Sequence, residues 1–219
     1  MSLVRSQPEE PIYLTTQTLS AIVAEVEFGW LFFGGKMDND TRNITDNYKN
    51  DRLVKWTTEL IRKDLQSKAF PYAVCMENFQ GDFNLSSVIR SANAFNSTEV
   101  FFLGKKDWDR RGTVGTHHYT DVKRLKTREE LLKLKDKYTF VALENTVPSS
   151  VDLANFEWPS NPLIVLGEEG VGITSETLSI CDAFVYIPQF GSVRSLNAAV
   201  AGSIAMNDFV TKYNRKVAA

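Results

Sequence analysis

Two cysteines and two histidines in 219 residues leave little material for metal or disulfide chemistry. Cys75 and Cys181 lie far apart, outside any His-rich stretch, so a reduced cytosolic thiol pair is expected. The adjacent His117 and His118, without a Cys or carboxylate pattern around them, do not make a metal site. Charge of one sign is also missing: 25 Lys and Arg stand against 27 Asp and Glu, a formal net charge of -2, so any nucleic-acid contact has to use a local patch. No apolar run is long enough for a membrane. Leu19 to Phe33 is broken by Glu25 and Glu27 and falls short of the roughly 20 residues a span needs. The stretch Met1 to Pro11 carries acids and prolines instead of a basic flank and apolar core, so no secretory signal is read and a cytoplasmic chain without membrane contact is expected. The phosphate-binding fingerprints G-x-x-x-x-G-K-[ST] and G-x-G-x-x-G are absent.

What is present is an ordinary globular composition, 43% hydrophobic and 24% charged, in a length that suits one large domain or one domain plus an extension. Residues 1–70 show no α/β alternation, and Met37 to Asn50 is dense in Asp, Asn and Thr, which favour turns. Leu53, Trp56, Leu60, Ile61 and Leu65 then recur at helical spacing, predicting an amphipathic helix over Asp51 to Ser67 with Trp56 on its core face. Residues 1–70 therefore read as a mainly helical N-terminal extension.

From Pro71 the texture changes to α/β, and residues 71–219 read as one domain. Strands are predicted at Tyr72–Met76, Val100–Leu103, Thr139–Leu143, Leu163–Leu166 and Ala183–Ile187, and helices at Leu85–Phe95, Thr127–Lys137, Ser175–Ile180 and Leu196–Tyr213. Because nearly every strand is followed by a crossover, a mostly parallel sheet flanked by helices is expected, with its ligand at the carboxyl ends of the strands.

Three strand ends carry unusual residues. After Met76, Asn84 stands at a helix start, where an N-cap is the ordinary reading, and Arg90 sits among Val88, Ile89, Ala92 and Phe95. A partly buried Arg in such company holds a carboxylate or phosphate with its planar fork. After Leu166 comes Gly167-Glu168-Glu169-Gly170-Val171-Gly172, whose glycines permit close backbone approach while two glutamates repel a pyrophosphate. A solvent turn explains Glu168, and Glu169 is a partner for Arg90. After Ile187, Pro188 and Gly191 free the backbone from the sheet, Ser195 is placed to cap the closing helix, and Asn197 shares its turn.

In this order, the three stretches resemble the three motifs of the SpoU-class (TrmH-like) RNA ribose 2'-O-methyltransferases of the SPOUT superfamily, over roughly Pro71 to Tyr213. The resemblance implies the SPOUT fold with a C-terminal trefoil knot, S-adenosylmethionine as cofactor, tRNA or rRNA as substrate, no metal, and a homodimer. It also implies catalytic roles for Arg90, Asn84, Glu169, Ser195 and Asn197, and cofactor contacts from Leu143, Gly167, Ile187 and Leu196. Gln189-Phe190 and Ala198-Ala199 depart from the residues usual in the family.

For RNA, a cation-rich stretch runs from Lys105 to Arg128, eight basic residues against Asp107, Asp109 and Asp121, with Lys105, Lys106, Arg110 and Arg111 nearest the second strand's end. It reads as a phosphate-contacting surface or as a solvated face. In it, Trp108 reads as a base-stacking residue and a histidine of the pair as an RNA-positioning one, or all three as plain loop residues. The leading reading is an RNA 2'-O-ribose methyltransferase; the alternatives are a non-catalytic RNA-binding module that kept the fold, and a nucleotide-binding α/β enzyme of another kind.

Overall fold

Successive residues of a strand point to opposite faces, and Phe70–Glu77 is apolar on both, as a strand covered by helices on either side must be. The computed structural model describes residues 57–79, 83–104 and 108–218. In chain order the elements are α1 (Thr58–Ser67), β1 (Phe70–Glu77), α2 (Asn84–Ala94), β2 (Ser97–Leu103), two 3-10 turns (Arg110–Thr113 and Thr116–His118), β3 (Val122–Leu125) and α3 (Arg128–Leu132). There follow β4 (Thr139–Leu143), β5 (Val151–Asp152), β6 (Pro162–Leu166), α4 (Ser175–Leu178), β7 (Ala183–Tyr186) and α5 (Ala198–Ala218). Most of the expected extension, including the Met37 to Asn50 loop and Trp56, lies outside the described residues, as do Lys105 and Lys106.

The strands form one seven-stranded sheet in the order β3-β2-β1-β6-β4-β7-β5, and every pairing is parallel. The expected parallel α/β sheet is thus the fold. Tyr72, Val74 and Met76 face one side with Leu85, Val88 and Ile89 of α2 and Met206 and Phe209 of α5. Ala73 and Cys75 face the other with Leu131 and Phe140, and α4 packs there through Leu178. α1 docks through Ile61 on Tyr119, and its end is held by the Asn96 amide, which donates to the Leu65 carbonyl at 3.1 Å.

Strands β3 and β5 were not expected. β3 is the sequence Val-Lys-Arg-Leu at the sheet edge, where lysine and arginine keep the unpaired side soluble and erase the apolar run that marks an inner strand. β5 has two residues. The helix expected over Thr127–Lys137 is α-helical to Leu132 and then tightens into a 3-10 turn, Lys133–Asp136. No helix among the described residues is long and apolar enough to cross a membrane.

Candidate active site

Strand order places the site. The chain builds β1, β2 and β3 outward to one edge, then returns with β4 two places beyond β1 and inserts β6 between them. In open α/β sheets ligands sit at the carboxyl ends of strands where the direction of winding reverses. Here the neighbouring strands β6, β4 and β7 end at Leu166, Leu143 and Tyr186, and all three residues line one cavity of about 280 Å3.

The turn after β6 is the tightest wall. The Gly172 amide donates to the Glu168 carbonyl at 2.9 Å, folding the loop back on itself. A Cβ at Gly167 would lie 2.1 Å from the Gly172 carbonyl carbon, so no side chain fits there. Gly172 has φ +75, a left-handed conformation, and a Cβ on it would meet Glu144 Oε2 at 2.9 Å. Glu144 joins two walls: one carboxylate oxygen accepts from the Thr146 amide at 3.1 Å, the other from the Ile173 amide at 3.3 Å.

The expected cofactor contacts Leu143, Gly167, Ile187 and Leu196 all line this cavity, together with Glu169 and Ser195. Asn84 and Asn197 are joined to it through Glu169. The Asn84 amide donates to Glu169 Oε2 at 2.8 Å, Asn197 Nδ2 donates to the same oxygen at 3.0 Å, and Asn197 Nδ2 also meets Asn84 Oδ1 at 2.8 Å. Three motifs from three strand ends thereby close into one triangle.

Several assignments change. Asn84 is not a cap: Phe83 holds that position without a side-chain bond, and Asn84 is the first helical residue, its amide spent on Glu169. Ser195 does not cap the last helix either. α5 starts at Ala198, and Asn197 Oδ1 accepts from the Ala199 and Val200 amides at 3.0 and 3.2 Å. Arg90 is exposed rather than partly buried and meets no carboxylate among the described residues, because Glu169 turns to the two amides instead. Glu168, read as a solvent residue, is 7% exposed, while Glu169 is exposed.

Sequence reasoning missed Glu144, Asn145, Thr146 and Arg194 on the cavity wall. The first three directly follow Leu143, and the rule that ligands gather at strand carboxyl ends would have found them. Burial pushes the Cys181 thiol up to about 12 and raises that of Cys75 as well, which disfavours the thiolate in both.

A parallel α/β sheet with a small-molecule cavity at its carboxyl ends, rimmed by a Glu and two Asn amides, defines a ligand-binding α/β domain. Residues 71–207 match the model of the SpoU rRNA Methylase family, and the chain belongs to that family. It is 28% identical over 137 residues to a tRNA (guanosine(18)-2'-O)-methyltransferase of Escherichia coli, covering 61% of this chain and 60% of that protein. The enzyme of the same name from Aquifex aeolicus is 24% identical over 151 residues, 67% of this chain and 72% of its own. The chain spans about 60% of the length of the Escherichia coli relative. Among solved structures, the A. aeolicus TrmH/SpoU tRNA modifying enzyme superposes with a TM-score of 0.64 at 22% identity, covering 73% of this chain and 83% of that one. The SpoU methyltransferase AviRb from Streptomyces viridochromogenes, solved with the cofactor AdoMet, gives 0.59 at 22% identity, covering 64% and 57%.

Proposed function

We propose that the chain transfers a methyl group from S-adenosylmethionine to a ribose 2'-hydroxyl of tRNA or rRNA. The observation that carries this reading is the Asn84–Glu169–Asn197 triangle on the rim of the strand-end cavity, in a chain of the SpoU family. The cavity fits the cofactor chemically. Leu143, Ile187 and Leu196 supply apolar walls, and the Gly167 backbone is bare of any side chain. Three glutamates, Glu144, Glu168 and Glu169, against Arg194 favour a cationic sulfonium over a polyphosphate. When bound, the cofactor supplies an electrophilic methyl group.

The chain's own residues must then orient a weak nucleophile. Arg90, exposed and without an acidic partner among the described residues, offers its guanidinium to an RNA phosphate and the 2'-hydroxyl, fixing their geometry and stabilising developing alkoxide charge. A guanidinium stays protonated, so the proton leaves through phosphate or water. Glu169 positions Asn84 and Asn197, and through them the starts of α2 and α5; Ser195, on the cavity wall, holds the nucleotide.

The same reading includes the trefoil knot, with the chain after β7 passing through the loop after β4. It is supported by the Asn145 amide, which donates to the Arg194 carbonyl at 3.0 Å across those two segments. A crystal structure tracing residues 183–197 outside the 144–150 loop would remove it. It includes a homodimer through the outer side of α5, and cytoplasmic residence, in keeping with two unpaired thiols.

Labelled S-adenosylmethionine and unmodified tRNA and rRNA transcripts test the reaction. Wild type is expected to label ribose, and Arg90→Ala to lose at least about a hundredfold in rate while calorimetry shows cofactor binding intact. A wild-type protein that binds cofactor and RNA yet transfers nothing is a binding module.

A further inference from the structure

The cation-rich stretch between β2 and α3 is not uniform. Arg111 is committed to Asp109 through both carboxylate oxygens, its Nε at 3.1 and 3.0 Å from them, and Lys123 pairs with Glu99 and Asp121. Arg128 reaches Thr174 and Glu176 across the domain. These cations are already neutralised by acids or spent on structure.

Arg110 is different. Its guanidinium carbon lies over the Trp108 ring, 5.8 Å from the centroid, and among the described residues its donors meet no acceptor. Trp108 packs on the hydrophobic core. Its ring contacts His117 edge-on at 5.5 Å, and His117 lies 4.1 Å from His118. His117 is itself fixed by Thr113, whose hydroxyl is 2.6 Å from Nδ1. The turn that folds the histidines back onto Trp108 needs Val114 at φ 50 and Gly115 at φ 86. A β-branched residue in the left-handed region is strained, and such strain persists only where its surroundings impose it.

The column is also placed on α2. The Ser86 hydroxyl donates to the Asp109 carbonyl, and a Cβ on Gly112 would lie 2.6 Å from Ser86 Cβ. Ser86 and Arg90 are four residues apart in one helix and share a face. The segment carrying Arg110 therefore rests one helical turn from Arg90.

We propose that Arg110, laid on Trp108, is a phosphodiester-contacting residue of an RNA subsite beside Arg90, and that Arg111 is a structural clamp on Asp109. This rests on the RNA-modifying reading above. A stacked guanidinium has less freedom to lose on binding than a free side chain, and its fork suits a phosphate's paired oxygens. Lys126 also meets no carboxylate among the described residues, but no ring holds it in place.

The test measures binding of the full chain to a fluorescently labelled unmodified tRNA transcript at a series of salt concentrations. Arg110→Ala is expected to weaken binding about tenfold at low salt and to lower the magnitude of the log–log salt slope by about one. Arg111→Ala is expected to leave the slope unchanged and to lower the melting temperature. Trp108→Ala is expected to keep the slope and lose a few-fold in affinity, since the charge stays and its ordering goes. Salt-dependent wild-type binding with an unchanged slope in Arg110→Ala overturns the subsite and leaves the RNA reading standing. If instead Arg111→Ala loses the slope, the roles are reversed and the proposal is wrong. Wild-type protein that binds no tRNA overturns the underlying reading as well.

Discussion

Glu77 touches no proposed substrate, yet it ties β1 to the turn before α4. It ends β1, is 1% exposed, and accepts from the Thr174 amide at 2.8 Å, the Thr174 hydroxyl at 2.6 Å and the Thr177 hydroxyl at 2.5 Å. One carboxylate thereby anchors both the exit of the turn Gly167–Ile173 and the start of α4. Removing it would leave the Thr174 amide and the buried Thr177 hydroxyl without their acceptor, while the Thr174 hydroxyl keeps the Thr177 hydroxyl at 3.2 Å, and each orphan costs about 1–3 kcal/mol. Glu77→Ala is therefore expected to destabilise the domain by about 3 kcal/mol in urea unfolding. S-adenosylhomocysteine affinity should fall with it, because the cavity wall loses its support. An unchanged urea midpoint would mean that the loop finds other acceptors and that Glu77 is not its anchor.

Together with α2, helix α5 covers one face of the sheet, and it exposes the surface on which the proposed partner would sit. Asn197 starts it. Ala199, Ala205, Met206 and Phe209 bury its inner side, and Lys212 fixes its later turns by donating to the Leu153, Ala154 and Phe156 carbonyls. Outward, Val200 and Ile204 are 49% and 38% exposed, and with Ser87 and Ser203 they line a shallow groove of about 410 Å3 between α2 and α5. Ile204→Glu is expected to convert a dimer to monomer in sedimentation velocity, with the helical circular dichroism unchanged, since a charge cannot be buried there unpaired. A wild-type monomer at micromolar concentration would remove the dimer.

Elements were legible because inner strands are apolar on both faces. Thr139–Leu143 was read to the residue, whereas the charged edge strand Val122–Leu125 was not. The site was legible as a set of strand ends but not as a set of bonds. In sequence, Glu169 and Arg90 both follow strand ends; that order does not show which way each side chain turns. The preference of Glu169 for Asn84 and Asn197 comes from tertiary placement of three loops. In the same way, Asn197 displaced Ser195 as the cap because the chain stays irregular two residues longer, while Ser195 lines the cavity.

Among the described residues, the sheet is also braced at the end remote from the cavity. The cavity lies at the carboxyl ends of β4, β6 and β7. Near the amino end of β2, Glu99 receives Lys123 of β3 together with Lys137 and Tyr138, which lead into β4, so one carboxylate braces strands from both halves of the sheet. Burial works to raise this carboxyl, but the hydrogen bonds from Lys123, Lys137 and Tyr138 outweigh it and hold it at about 2, below its ordinary 4.5. A group whose folded pKa is depressed stabilises the fold at pH above its unfolded value, and that contribution disappears as pH falls through the folded one. Wild-type stability should therefore decline between about pH 4.5 and 2. Glu99→Gln should be less stable at pH 7 by about 1 kcal/mol, discounted for the solvent screening its exposed lysines feel, and the two proteins should converge near pH 2. Because the brace is remote from the cavity, S-adenosylhomocysteine affinity at pH 7 should be the same in both. Parallel urea titrations across that range check the first claim and calorimetry the second. A Glu99→Gln stability deficit that stays constant down to pH 2 would show that the residue acts through packing, not through its charge.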